Sequence, residues 1–154
     1  APFDWRGLTD LKGLRIGVVQ SYTYTPEFLA LLKAGTLNTV IAPDDLASLR
    51  LLIGGRLDVV PMERNVACYL MQHHFMDSEV QDLRAHPRLF APNFTTHVMF
   101  SDKLPDSAAR LQAFNRGLRA LKRTPAYTEK LNWPGCRLNA MAPAPERTPA
   151  KPKR

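Results

Sequence analysis

Between Asp10 and Leu70 the chain alternates short apolar runs with helical patterns three times, and that alternation points to an α/β fold with parallel strands. Asp10-Leu11-Lys12-Gly13 reads as a turn before a first strand, Leu14–Val19. Ile16, Val18 and Val19 are apolar almost without alternation, as in a strand buried on both faces. Thr25-Pro26-Glu27 is a helix start: Thr25 can cap, proline suits the first helical position, and an acid complements the positive helix end. Phe28, Leu31 and Leu32 supply the buried stripe and Gly35 the stop. A second strand is expected over Leu37–Ala42. Asp44 or Asp45 then caps a helix bearing Leu46, Leu49, Leu52 and Ile53, which ends at Gly54-Gly55. A third strand over Leu57–Met62 and a helix over Asn65–His74, with Val66, Tyr69 and Leu70, complete the series.

After His74 the rhythm changes. Asp77–Asn93, with Pro87 and Pro92, reads as a connector and Thr95–Phe100 as a further strand. The longest helix is expected over Asp106–Arg123, with Leu111, Phe114, Leu118 and Leu121 on one face. Gly117 inside it costs about 1 kcal/mol relative to alanine. A short helix follows over Ala126–Leu131. From Pro134 the chain is dominated by proline, alanine and basic residues, a composition that buries too little apolar surface to offset its chain entropy. Residues 134–154 therefore read as a disordered tail.

With 154 residues and 45% hydrophobic content the chain can bury a core. No apolar run approaches the roughly 20 residues of a membrane helix. The opening Ala1-Pro2-Phe3-Asp4-Trp5 shows neither the basic nor the apolar region of a signal peptide. Two cysteines are too few for a disulfide framework. Cys68, in an apolar helical pattern, reads as a buried structural thiol, the alternative being a Cys68–Cys136 bridge in an oxidising compartment. The net charge of +7 gathers partly in Arg147, Lys151, Lys153 and Arg154. It reads as a solvated tail and ordinary surface charge, and no nucleic-acid partner is expected.

Of the residues that can carry chemistry, Ser21, Tyr22 and Thr23 stand just before a helix N-terminus, where unpaired N–H groups and the helix dipole favour an anion. Many such turns hold only water. His73-His74 does not make a metal site, because neighbours on a helix point about 100° apart and no third ligand stands at a recognised spacing. No Ser-His-Asp set, phosphate-cradling glycine loop or divided carboxylate pair is present, so no catalytic residue, metal or cofactor is expected.

Several runs together resemble the family 3 extracellular solute-binding proteins, the periplasmic binding components of polar amino-acid ABC transporters. They are Asp10–Val18, the Ser21-Tyr22-Thr23-Tyr24 turn, Gly55-Arg56-Leu57-Asp58-Val59-Val60, Val66–Leu70, Phe114–Leu118 and Tyr127–Leu131. The resemblance spans about Leu8–Leu131. It implies a type II periplasmic-binding-protein-like lobe, a parallel sheet flanked by helices, plus the returning C-terminal part of the other lobe. The segments would be a lead-in at 1–13, the second lobe at 14–88, the returning strand and helices of the first lobe at 89–133, and the tail. Against that template the N-terminal part of the first lobe has no counterpart here, nor has the arginine that grips a ligand carboxylate in amino-acid binders.

The resemblance further implies that Ser21, Tyr22 and Thr23 hold a ligand carboxylate. Glu63 would receive an ammonium where the family usually has aspartate; its other reading is a surface carboxylate capping the next helix. Asp58 would be structural. Tyr24, Arg64 and Asn65 are further candidates, Tyr24 equally as core and Asn65 equally as a helix cap. The implied function is capture of a small solute, an amino acid or related carboxylate, in the periplasm for the membrane permease of an ABC transporter. Self-association through the exposed first-lobe surface is a further implied contact. The alternative is a sensor or transglycosylase-linked binding domain without catalysis of its own.

Overall fold

The computed structural model describes residues 3–92, 95–131, 136 and 138–140. The chain divides into two units, Ala1–Phe90 with Arg137–Arg154, and Ala91–Cys136.

In the first unit β1 (Arg15–Val19) pairs in parallel with β2 (Asn38–Ala42), Arg15 opposite Asn38 and Val19 opposite Ala42. The connecting helix α1 (Pro26–Lys33) starts where Thr25 Oγ1 accepts the Phe28 N–H, with proline at the first position. α2 (Asp45–Ile53) follows β2 and is capped by Asp44 rather than Asp45. It ends at Gly55, whose φ of 65° suits the left-handed cap in which the Arg56 N–H donates to the Leu51 carbonyl. The chain then passes the other edge of β1, where Val59 bridges Ile16 in parallel. The result is a mixed α/β unit with a small parallel sheet in which β1 lies between β2 and the Val59 segment.

The third strand, expected over Leu57–Met62, is reduced to that bridge. Donors on one edge of a strand belong to alternate residues. The Val59 N–H donates to the Arg15 carbonyl, and the Gly17 N–H donates to the Val59 carbonyl at 2.9 Å. The next donor facing β1 would come from residue 61, which is Pro61 and has no N–H. The ladder stops there.

Ile16 and Val18 point to one face of β1, into a buried cluster with Trp5, Leu11, Phe28 and Leu37. Phe28 is fully buried, its ring edge-on to Phe90 with centroids 5.0 Å apart. The lead-in is part of this core, since Trp5 and Leu11 (the latter in a 3-10 turn, Leu8–Leu11) are both buried. Gly17 points to the opposite face, where a Cβ would stand 2.6 Å from Leu57 Cδ1. That close approach requires glycine.

A second cluster joins Leu49 of α2 to Ala67 and Met71 of α3 (Arg64–His74), with Met62, Leu70, Phe75 and Leu138 packed against it. After α3 come α4 (Asp77–Val80) and β3 (Arg84–Ala85), inside what the sequence presents as a plain connector. Much later β4 (Asn139–Ala140) pairs with β3 in parallel. This corrects the tail reading at its start: Leu138 has apolar neighbours and the next two residues have a ladder, so the chain is held as far as Ala140. Residues 141–154 lie outside the described set.

Cys68 is buried in α3 but is not a thiol. Cys68 and Cys136 are both disulfide-bonded, and no free cysteine remains. An apolar helical pattern reports that a sulfur is buried, not what it is bonded to.

The second unit holds α5 (Ser107–Leu121) and α6 (Pro125–Leu131). Thr95–Phe100, expected as a strand, has no ladder, and Met99 within it is 90% exposed. Strand propensity needs a partner edge, and none is present among the described residues of this unit. Ser107 is the buried residue of α5, its Oγ donating to the Ser101 carbonyl. Among the described residues no helix is long and apolar enough to cross a membrane.

Candidate functional site

β1 has β2 on one side and the Val59 segment on the other, so the strand order reverses at β1. In open α/β sheets the connections diverge at such a point and leave a crevice outside the carboxyl ends of the strands. Three loops leave the sheet there: Gln20–Thr25 after β1, Pro43-Asp44 after β2, and Val60–Glu63 after the bridge. Each leads directly into a helix, and each helix is capped by a side chain from its own loop.

The first loop turns sharply. Ser21 takes a left-handed φ of 67°, unusual for a residue with a Cβ, and the Tyr22 N–H donates back to the Val19 carbonyl. Ser21, Tyr22 and Thr23 are all exposed. Tyr22 Oη donates to Asp45 Oδ2 at 2.7 Å, tying this loop to the start of α2. That bond, helped by burial, raises the Tyr22 phenol above its usual pKa.

Tyr24 has a different task. Its ring packs on Phe28 with centroids 5.2 Å apart, and its Oη accepts the Val19 N–H at 2.7 Å. Of the two tyrosines it is the core residue, and burial raises its pKa. The edge of β1 that faces the third segment is therefore satisfied in three ways. Arg15 donates its N–H to Asp58 Oδ2, Gly17 to the Val59 carbonyl, and Val19 to the Tyr24 phenol.

Glu63 is the N-cap of α3, and its Oε2 accepts the Val66 N–H at 2.9 Å. The carboxylate is exposed and sits at the same end of the sheet as the Ser21 turn. Arg64 opens α3 and is exposed. Asn65 is the second helical residue and half-buried, so the capping role open to it belongs to Glu63.

The helix ends offer an anion less than the sequence suggests. At α1, Pro26 has no N–H, the Phe28 N–H is taken by Thr25, and Glu27 places a carboxylate in the first turn. At α2 and α3 the helix's own acid, Asp44 or Glu63, already accepts an N–H. Hydroxyl donors on the first loop and carboxylate acceptors on the other two are what this edge presents to a ligand.

Asp58 stands at the opposite end of β1. It binds the Arg15 guanidinium through both oxygens, at 2.6 and 3.0 Å, as well as the Arg15 N–H. Arg15 holds its carboxyl down to a pKa of about 2. It clamps the third segment to β1 and takes no part at the loop edge. His73 and His86 are engaged elsewhere in the first unit. His73 contacts the Tyr69 carbonyl and stacks on its ring, while His86 lies 3.8 Å from Asp4 and against Trp5. No group of three metal-ligating side chains is present among the described residues.

Sequence reasoning missed Asp45. The Asp44-Asp45 pair held the signal: one acid caps α2, which leaves the other to face the neighbouring loop.

No family model, no curated protein and no solved structure matches this chain.

Proposed function

We propose that the chain is a solute-binding module that captures a small amino acid or related carboxylate at the carboxyl edge of its parallel sheet, for the permease of an ABC transporter. The observation that carries this reading is the place of β1, with β2 on one side and the Val59 segment on the other. The reversal brings the Ser21–Thr23 loop and Glu63 to one edge, where open α/β sheets take their ligands. The hydroxyls of Ser21 and Thr23 are donors suited to a carboxylate, and the Glu63 carboxylate is an acceptor suited to an ammonium. Tyr22, fixed by Asp45, presents an exposed ring on the same loop. The sequence resemblance to family 3 solute-binding proteins supports the same reading and, with it, a type II lobe. Two disulfide-bonded cysteines suit an oxidising compartment such as the periplasm.

The test is a thermal-shift screen against the common amino acids, followed by Glu63→Gln. A ligand that binds only the folded state raises the melting temperature by mass action. Glutamine keeps an oxygen for the Val66 N–H, so the α3 cap survives while the charge is lost. The variant should lose affinity for an amino acid and keep it for the deaminated analogue. Equal losses for both, or no shift with any amino acid, would remove the assignment.

A further inference from the structure

The second unit carries an amphipathic helix whose apolar stripe is largely exposed. In α5, Leu111, Phe114 and Leu121 are 42%, 39% and 45% exposed, and Leu118 is half-buried on the same face. At about 100° per residue these four fall within an arc of about 80°. Among the described residues, Phe100 is edge-on to Phe114 on the stripe at 6.4 Å. The remaining surface is basic. Arg110, paired with Asp106 at 2.7 Å, and Lys122, over the Tyr127 ring, border the stripe, one on each side, while Arg116, Arg119 and Arg123 take the far face. Ser107–Leu121 contains no acidic residue.

We propose that α5 is a membrane-surface helix that lies in the interface of an anionic phospholipid bilayer. Its stripe would enter the acyl boundary, with Arg110 and Lys122 at headgroup level. A narrow apolar face flanked on both sides by cations is the pattern of interfacial helices. A second copy of the chain is a poor occupant, because two α5 faces would bring cationic borders together. This inference does not depend on the solute-binding reading.

The experiment is co-sedimentation of the full chain with vesicles of phosphatidylcholine alone and of phosphatidylcholine with phosphatidylglycerol. The expected result is binding to the anionic vesicles, weakened by salt, and none to the neutral ones. Arg110→Gln and Lys122→Gln should each weaken binding about fivefold. Phe114→Ser with Leu121→Ser should weaken it by more than about tenfold, with helix content by circular dichroism unchanged. A full-length control with Arg147, Lys151, Lys153 and Arg154 changed to Gln should still bind. Equal binding to both vesicle types overturns the proposal, as does binding that follows the C-terminal cations and ignores α5. Retention on polyglutamate with no vesicle binding would assign the face to an acidic polypeptide instead, and would also overturn it.

Discussion

Gly17→Ala tests the packing that holds the third segment against β1. The added methyl would stand 2.6 Å from Leu57 Cδ1 and 3.1 Å from Val60 Cγ2, where carbon contacts ordinarily sit at about 3.5–4.0 Å. Leu57 is 2% exposed and must move by about 1 Å within a packed interior. Overpacking of this size costs about 1–3 kcal/mol. Removing a glycine from a strand returns about 0.5–1 kcal/mol of chain entropy, leaving a net loss of up to about 2.5 kcal/mol. At this chain length each kcal/mol lowers Tm by about 2–4 °C. Leu57→Ala alone removes a buried side chain and should cost about 2–5 kcal/mol. In the double variant the alanine methyl enters the space that Leu57 vacates, so the pair should cost at least about 1 kcal/mol less than the sum. Urea unfolding of all four proteins reads this directly, with unchanged m-values as the check on two-state behaviour. Additive losses, or a Gly17→Ala protein more stable than the parent, would show that Leu57 does not lie against β1 at Gly17.

Three further outcomes follow from features away from that contact. Ser48 is fully buried with no hydrogen-bond partner for its Oγ among the described residues, so Ser48→Ala should raise stability by about 1 kcal/mol in a urea melt. Asp58 has a folded pKa lowered to about 2, so its contribution is complete above about pH 4 and lost as pH falls through about 2. The stability gap between the parent and Asp58→Asn should accordingly be flat at neutral pH and close across that acid window. Because both cysteines are disulfide-bonded, the denatured chain should show no reactive thiol before reduction, and reductant should cost about 2–4 kcal/mol by thermal melt.

The regular part of the fold was legible because local rules and tertiary packing agree there. Thr25-Pro26-Glu27 and the glycine after each helix fix α1 and α2 from local chemistry alone. The third strand was not, because Leu57–Met62 has strand composition throughout while one imino acid, Pro61, ends its pairing. Thr95–Phe100 shows the same weakness from the other side, with suitable residues and no edge to join. At the candidate site the sequence named the loops but not how their groups are spent. That Glu63 caps α3 was one of its two readings, but that the Tyr24 oxygen accepts the Val19 N–H and Tyr22 donates to Asp45 depends on distances no spacing encodes.

The phenol of Tyr24 stands where the third strand would otherwise supply a carbonyl. A strand held by its ladder has the direction of each side chain dictated by the pleat, so a residue beyond it cannot be re-aimed without disturbing the sheet. Here the ladder is closed by a side chain from a different loop, and the backbone from Val60 to Met62 is released from that geometry before it reaches Glu63. The Glu63 carboxylate is therefore aimed by its bond to the Val66 N–H at the start of α3 rather than by the sheet. Changes in the first turn of α3 can re-point the acid while β1, Phe28 and the main cluster keep their packing, which separates what the proposed module would recognise from what keeps it folded.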